Sequence, residues 1–241
     1  MSGFELRERN GIRYLVSGDG SVVHGHMDIQ CPDLPLVPYL RMALATSLYL
    51  DHPQGRTRAL VIGLGTGIVP KTILSKLLNW RVTAVEIDPQ VIELAHVSFS
   101  VPLDHDRLEI VQGCGFEFVK NCAEQFEWVF VDGFNEQAEP GPLGEPKFLE
   151  LCNALLRPSS LLVFNGLTLH QDAEQWCRQM QKTFNRRVHQ IHLPETKNFL
   201  AIVLPLSFTA MGVEQLTARA ETLMRETGLD FTAEIGSMQV I

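Results

Sequence analysis

The chain has 241 residues, 45% of them hydrophobic and 20% charged, with a net charge of −8. That is enough chain for one well-filled core in an ordinary soluble globule. An acidic balance with no long basic run argues against a general nucleic-acid binder and against an anionic-membrane binder, since both rely on basic surface. No segment nears the length of a membrane span, and the N-terminus has no apolar run of the signal-peptide kind. The five cysteines (Cys31, Cys114, Cys122, Cys152 and Cys177) contain no C-x-x-C pair and match no zinc spacing. Reduced thiols and a cytoplasmic location are expected.

Taken in chain order, residues 4 to about 29 read as short strands, with 12–16 and 21–26 the paired runs and Gly11, Gly18, Asp19 and Gly20 at turns. Two or three strands alone are barely stable, so this region needs the main body or another subunit as partner. Residues 33–38 are a proline-broken entry to a helix over 39–49. From there β and α segments alternate. Strands are predicted near 59–63, 82–86, 107–111, 127–132 and 159–165, and helices near 66–77, 89–98, 115–123, 145–156 and 170–184. Residues 188–193 and 199–204 look like a closing hairpin, and 213–225 is an amphipathic helix. The pattern implies a doubly wound, mostly parallel seven-stranded α/β sheet. The expected division is a small β region over 1–29 and a nucleoside-binding α/β domain over 30–241.

The run Ala59-Leu-Val-Ile-Gly-Leu-Gly-Thr-Gly-Ile68 and the run Val82-Thr-Ala-Val-Glu-Ile-Asp-Pro89 carry the chemistry. Gly63, Gly65 and Gly67 let the backbone turn sharply and approach a ligand closely. Pro70 sits in the first turn of the next helix, where its missing N–H costs nothing. Glu86 ends the second strand, where its carboxylate can accept from two vicinal hydroxyls of a nucleoside. A dinucleotide fingerprint needs G-x-G-x-x-G, whereas here the third glycine comes one residue early and Ile68 fills the place that should be small. G-x-G-x-G followed by an acid is similar to the class I S-adenosylmethionine (AdoMet) fold.

Further motifs are Gln30, Tyr39 and Met42, Val85-Glu-Ile-Asp88, Arg107-Leu-Glu-Ile-Val with Gly113-Cys-Gly115, Val129-Phe-Val-Asp132 and Phe148-Leu-Glu150. With the glycine turn they make the chain resemble the spermidine synthase (polyamine aminopropyltransferase) family, over roughly residues 26–204. The resemblance implies that Gln30 contacts the nucleoside or its sulfur-bearing tail. It implies that Gly63, Gly65, Thr66 and Gly67 line that tail, and that Glu86 holds the ribose with Ile87 on the adenine. It places Gly113, Cys114 and Gly115 along the adenine edge and Asp132 at the reaction centre. Tyr39 faces either the substrate or the core. A homodimer is implied as well.

Several positions depart from the family pattern. Thr66 stands where the family has an Asp that grips the donor ammonium, and Asn135 where it has a second Asp. Leu34-Pro35-Leu36 replaces an Arg-Asp-Glu run that helps to bind the polyamine, and Cys114 replaces an acid facing the adenine. The nucleoside half is kept, while the amine half has lost carboxylates. The sequence reading therefore puts methyl transfer from AdoMet to an unidentified small-molecule acceptor first, with Asp132 and Asn135 orienting that acceptor. Aminopropyl transfer from decarboxylated AdoMet, with Asp132 or Glu136 as base, is one alternative. A catalytically silent nucleoside-binding or interaction protein is another, and the ligand expected at the site is AdoMet, decarboxylated AdoMet or methylthioadenosine. Glu136 and Glu139 lie in a Pro/Gly-rich loop that is either a lid or a solvated connection. His24, His26, His189 and His192 have no acid at ligand spacing, so no metal site is expected. No Gly-x-Ser-x-Gly elbow supports a hydrolase.

Overall fold

A computed structural model describes residues 3–51, 53, 55–134, 141–168, 172–193 and 195–238. Strands β1 (Phe4–Arg9), β2 (Ile12–Ser17) and β3 (Val23–Asp28) form a separate antiparallel sheet. Asn10 and Gly11, both at positive φ, join β1 to β2, the two-residue geometry that matches the twist of paired strands. Leu15 and Met27 of this sheet bury themselves against Phe99 of the main body. So the small sheet does find its partner within the chain.

Helix α1 (Pro38–Ala45) begins on a proline, and the helix expected to run to residue 49 instead tightens into a 3-10 turn over Thr46–Tyr49. The Thr46 hydroxyl donates to the Ala43 carbonyl at 2.6 Å and accepts from the Trp128 indole N–H at 3.0 Å. A threonine that bonds back to the preceding turn competes with the α-ladder.

The main sheet follows with β4 (Thr57–Ile62), α2 (Ile68–Lys76), β5 (Trp80–Glu86), α3 (Pro89–Phe99), β6 (Leu108–Gln112), α4 (Gly115–Asn121), β7 (Phe126–Val131), α5 (Pro146–Ala154) and β8 (Leu156–Leu167). It closes with α6 (Ala173–Phe184), β9 (Val188–Leu193), β10 (Asn198–Val203) and α7 (Val213–Thr227). Strand order is β6-β5-β4-β7-β8-β10-β9, and only β10 runs against its neighbours. The predicted doubly wound α/β architecture is therefore present. Strand β8 begins earlier than the expected residue 159. Its first residue pairs with Phe126, and the register then shifts so that Trp128 faces Leu161, a bulge that absorbs the Arg157-Pro-Ser-Ser160 stretch.

Period-two alternation divides the core. Ala59 and Val61 of β4, with Trp128 and Phe130 of β7, face α1, α2 and α7. Leu60 and Ile62, with Val129 and Val131, face α4, α5 and α6. Strands with both faces covered read as continuous apolar runs, and this is why β4 and β7 are legible in the sequence. All five cysteines are unbridged. Among the described residues, no helix is long and apolar enough to cross a membrane.

Candidate active site

The C-terminal edge of the parallel strands carries the site. Backbone N–H groups hold the Glu86 carboxylate on two sides: Leu64 N–H donates to Oε2 at 2.9 Å, and Asp88 N–H donates to Oε1 at 3.0 Å. Both donors belong to the turns that follow β4 and β5. The glycine turn thus aims the acid, and the acid in turn braces the glycine turn. Gly63 has φ +97 and lies so close to the Asp132 carbonyl that a Cβ would strike it. Gly67 caps α2 at φ +66, with Val101 in the place a Cβ would need. Each of these two positions admits glycine for a steric as well as a conformational reason.

A cavity of about 230 Å³ opens between these turns. This is slightly under the roughly 300–1,000 Å³ usual for small-molecule sites. Gly63, Glu86, Ile87, Cys114, Gly115 and Asp132 all line it, together with Gly113, Phe134 and Leu143. Ile87 is 65% exposed there, an apolar side chain offered to whatever enters. A Cβ on Gly113 would meet only open space, whereas one on Gly115 would run into Ile62. A half-buried carboxylate with its geometry fixed, facing an apolar shelf across a small cavity, fits a nucleoside: vicinal hydroxyls at one end and a flat base at the other.

Asp132 follows the last residue of β7. The Tyr39 hydroxyl of α1 donates to its Oδ2 at 3.1 Å, and Asn165 Nδ2 of β8 donates to its Oδ1 at 2.7 Å. Behind Asn165, Asn198 Nδ2 of β10 donates to Asn165 Oδ1 at 2.8 Å. Burial pushes the Asp132 carboxyl up to about 7; the two donated hydrogen bonds pull against this, and the nearby Glu86 charge adds to it. Burial, and then the Asp132 charge, holds the Tyr39 phenol well above its ordinary range, so it stays a donor.

The remaining predicted residues lie elsewhere. Gln30 is exposed in the turn after β3, its own N–H bonded to Asp28 Oδ1 at 2.7 Å, and it does not line the cavity. Gly65, Thr66 and Gly67 also fall outside the lining. Thr66 is only 3% exposed and packs toward β3, where a Cβ on Gly25 would come within 2.9 Å of its methyl. The small N-terminal sheet thus covers the glycine turn. Asn135, Glu136 and Glu139 lie outside the described residues. Of the predicted turn only Gly63 lines the cavity, with Glu86 and Asp132; Asn165 and Asn198, two asparagines in separate strands, have no local sequence pattern to mark them.

The architecture is that of methyltransferase-like α/β proteins. Human methyltransferase-like protein 13 in complex with SAH superposes with a TM-score of 0.69 at 18% identity, covering 79% of this chain and 92% of that one. A spermidine synthase in complex with the transition state analogue AdoDATO gives 0.65 at 17% identity, covering 98% and 84%. At such identities these likenesses concern the fold alone. The sequence takes the assignment further: residues 41–204 match the spermine/spermidine synthase domain, and the chain belongs to that family. A polyamine aminopropyltransferase of Neisseria meningitidis is 28% identical over 234 residues, spanning 95% of this chain and 88% of that protein.

Proposed function

We propose that the protein transfers an aminopropyl group from an adenosyl sulfonium donor to an amine, with Glu86 on the donor ribose and Asp132 as general base. The observation that carries this reading is the Asp132 carboxyl. It lines the cavity, has a donor on each oxygen, and is pushed up to about 7 by burial. A base with its pKa near the working pH balances being deprotonated against pulling the proton. Such a donor supplies a carbon activated by the positively charged sulfur. Asp132 takes the proton that the amine nitrogen sheds as it bonds to that carbon and the carbon–sulfur bond opens toward sulfur. Glu86 and the turn after β4 fix the donor's position, and alignment of this kind is worth several kcal/mol, up to roughly 7–11 in the best cases.

Methyl transfer, placed first on sequence grounds, becomes the second reading. Membership of the spermine/spermidine synthase family and the relative named as a polyamine aminopropyltransferase favour aminopropyl transfer. One observation still speaks for methyl transfer: the glycine turn carries no carboxylate to hold a donor's ammonium, since position 66 is a neutral, buried threonine turned toward β3. A donor that keeps its own carboxylate needs none.

The test is incubation with decarboxylated AdoMet and a panel of mono- and diamines near pH 8, with the amine products resolved by mass spectrometry. Expected is an amine longer by one aminopropyl unit, made by the wild type and lost in D132N. If only AdoMet is consumed and a methylated product forms, the second reading replaces the first. If neither donor is consumed, both give way to a silent nucleoside-binding protein.

A further inference from the structure

We propose that Asn165 and Asn198 are positioning residues, a two-amide relay across β8 and β10 that fixes the orientation of the Asp132 carboxylate. The inference rests on the reading of Asp132 as the base, but its geometry stands apart from any substrate. In the main sheet β7, β8 and β10 are adjacent, with Val131 beside Phe164 and Leu200 beside Asn165. Asn198 pairs with Leu167, two residues beyond Asn165, so the two amides are diagonal neighbours on one face, beside Asp132 at the end of β7. β10 can contribute because it runs the other way and brings its first residue to the C-terminal edge of the parallel strands.

The direction of the relay is set by chemistry. An asparagine amide has an accepting oxygen and a donating nitrogen of nearly the same shape, and only its partners decide which way it points. Asn198 Nδ2 donates to Asn165 Oδ1 and so commits that oxygen as acceptor. Asn165 Nδ2 is then left facing Asp132 Oδ1. A flipped Asn165 would set its oxygen against a carboxylate oxygen and its N–H group against the Asn198 N–H. Asn165 is 2% exposed and Asn198 5%, so the bonds are shielded from solvent, and an unmade bond there costs the full desolvation of each group. Tyr39 of α1 fixes the other carboxylate oxygen, and the Glu86 charge from β5 acts against ionisation. These are the titratable groups that face Asp132 among the described residues. The relay opposes burial and Glu86, favouring the deprotonated form a base must have.

The test reads the carboxylate directly. The side-chain carboxyl carbons of the aspartates are titrated by carbon-13 NMR, with the Asp132 signal assigned by its loss in D132N. The wild-type midpoint is expected at about 7. N165L removes the donor and is expected to raise the midpoint by about one to two pH units, the worth of one charge-assisted hydrogen bond. N198L leaves Asn165 free to turn and is expected to shift the midpoint the same way by less. A folded N165L with an unchanged midpoint overturns the relay. Should N165L fail to fold, N198L decides alone: an upward shift supports the relay and no shift overturns it. A shifted midpoint in a protein that uses no sulfonium donor leaves the relay standing and removes only the reaction. Amine transfer that continues in a folded N165L with an unmoved acidic limb and midpoint removes only the relay.

Discussion

Replacing Glu86 with alanine tests the donor site without presuming which group is transferred. Both carboxylate oxygens already accept one backbone N–H, from Leu64 at 2.9 Å and from Asp88 at 3.0 Å. Each oxygen keeps further lone-pair capacity toward the cavity, which suits a pair of ribose hydroxyls. One charge-assisted bond is worth roughly 1.5–3 kcal/mol, so E86A is expected to weaken methylthioadenosine binding by about 10- to 150-fold at 25 °C. E86Q separates charge from shape. Its single amide oxygen cannot serve both backbone donors, so one N–H faces an NH₂ group, and the variant is expected to lose affinity and melting temperature together. Isothermal titration calorimetry gives Kd, and thermal unfolding identifies any global damage. A folded E86A that binds within threefold of the wild type refutes the assignment of this cavity as the nucleoside site.

Other expectations follow from the same geometry. D132N should cost about 10²–10⁴ in transfer rate, while raising the melting temperature at pH 8. The Asp132 carboxyl lies above its ordinary range when folded, so the folded state holds its proton more tightly and stability falls as pH climbs from about 4 to about 7; an asparagine escapes that loss. For the wild type, steady-state rates should drop about tenfold per pH unit below about 7, and a flat profile from pH 5 to 8 would exclude Asp132 as the base. Lys71 is 5% exposed, its ammonium bonded to the Phe99 carbonyl at 2.6 Å, and burial pushes it down to about 8. The unfolded chain therefore binds this proton more tightly, and stability should rise with pH between about 8 and 10.5. K71M should flatten that rise in urea unfolding, and an unchanged slope would show that Lys71 is solvated. G67A should lose about 1–3 kcal/mol in the same assay, because the new Cβ meets Val101 at a left-handed φ.

The parts of the site that local spacing determines could be read from the sequence. The turn Gly63-Leu-Gly-Thr-Gly67 and the acid Glu86 belong to one strand–helix–strand unit, in which the backbone demands glycine at 63 and 67 and the strand end presents the acid to N–H groups of the adjoining turns. Apolar β4 and β7 announced themselves for the same reason. Contacts set by distant pairing were not legible. Tyr39 reaches Asp132 across 93 positions of chain, a hydrogen bond that neither the substrate-facing nor the core-packing expectation contained. Asn198 meets Asn165 only through the β8–β10 register, which no single-strand pattern encodes. Thr66 turns toward Gly25 because the small sheet packs over the glycine turn, a contact between two units that were read separately. The expected helix over 39–49 broke at Thr46, whose hydroxyl bonds back to the Ala43 carbonyl while accepting from a tryptophan 82 residues away.

Which nucleoside the protein releases separates the two proposed reactions most directly. Equal concentrations of AdoMet and decarboxylated AdoMet are offered together with an amine mixture, and the accumulating thioether is identified by mass. Aminopropyl transfer predicts methylthioadenosine, formed in step with the lengthened amine and abolished in D132N. S-adenosylhomocysteine as the product, with decarboxylated AdoMet untouched, would contradict it.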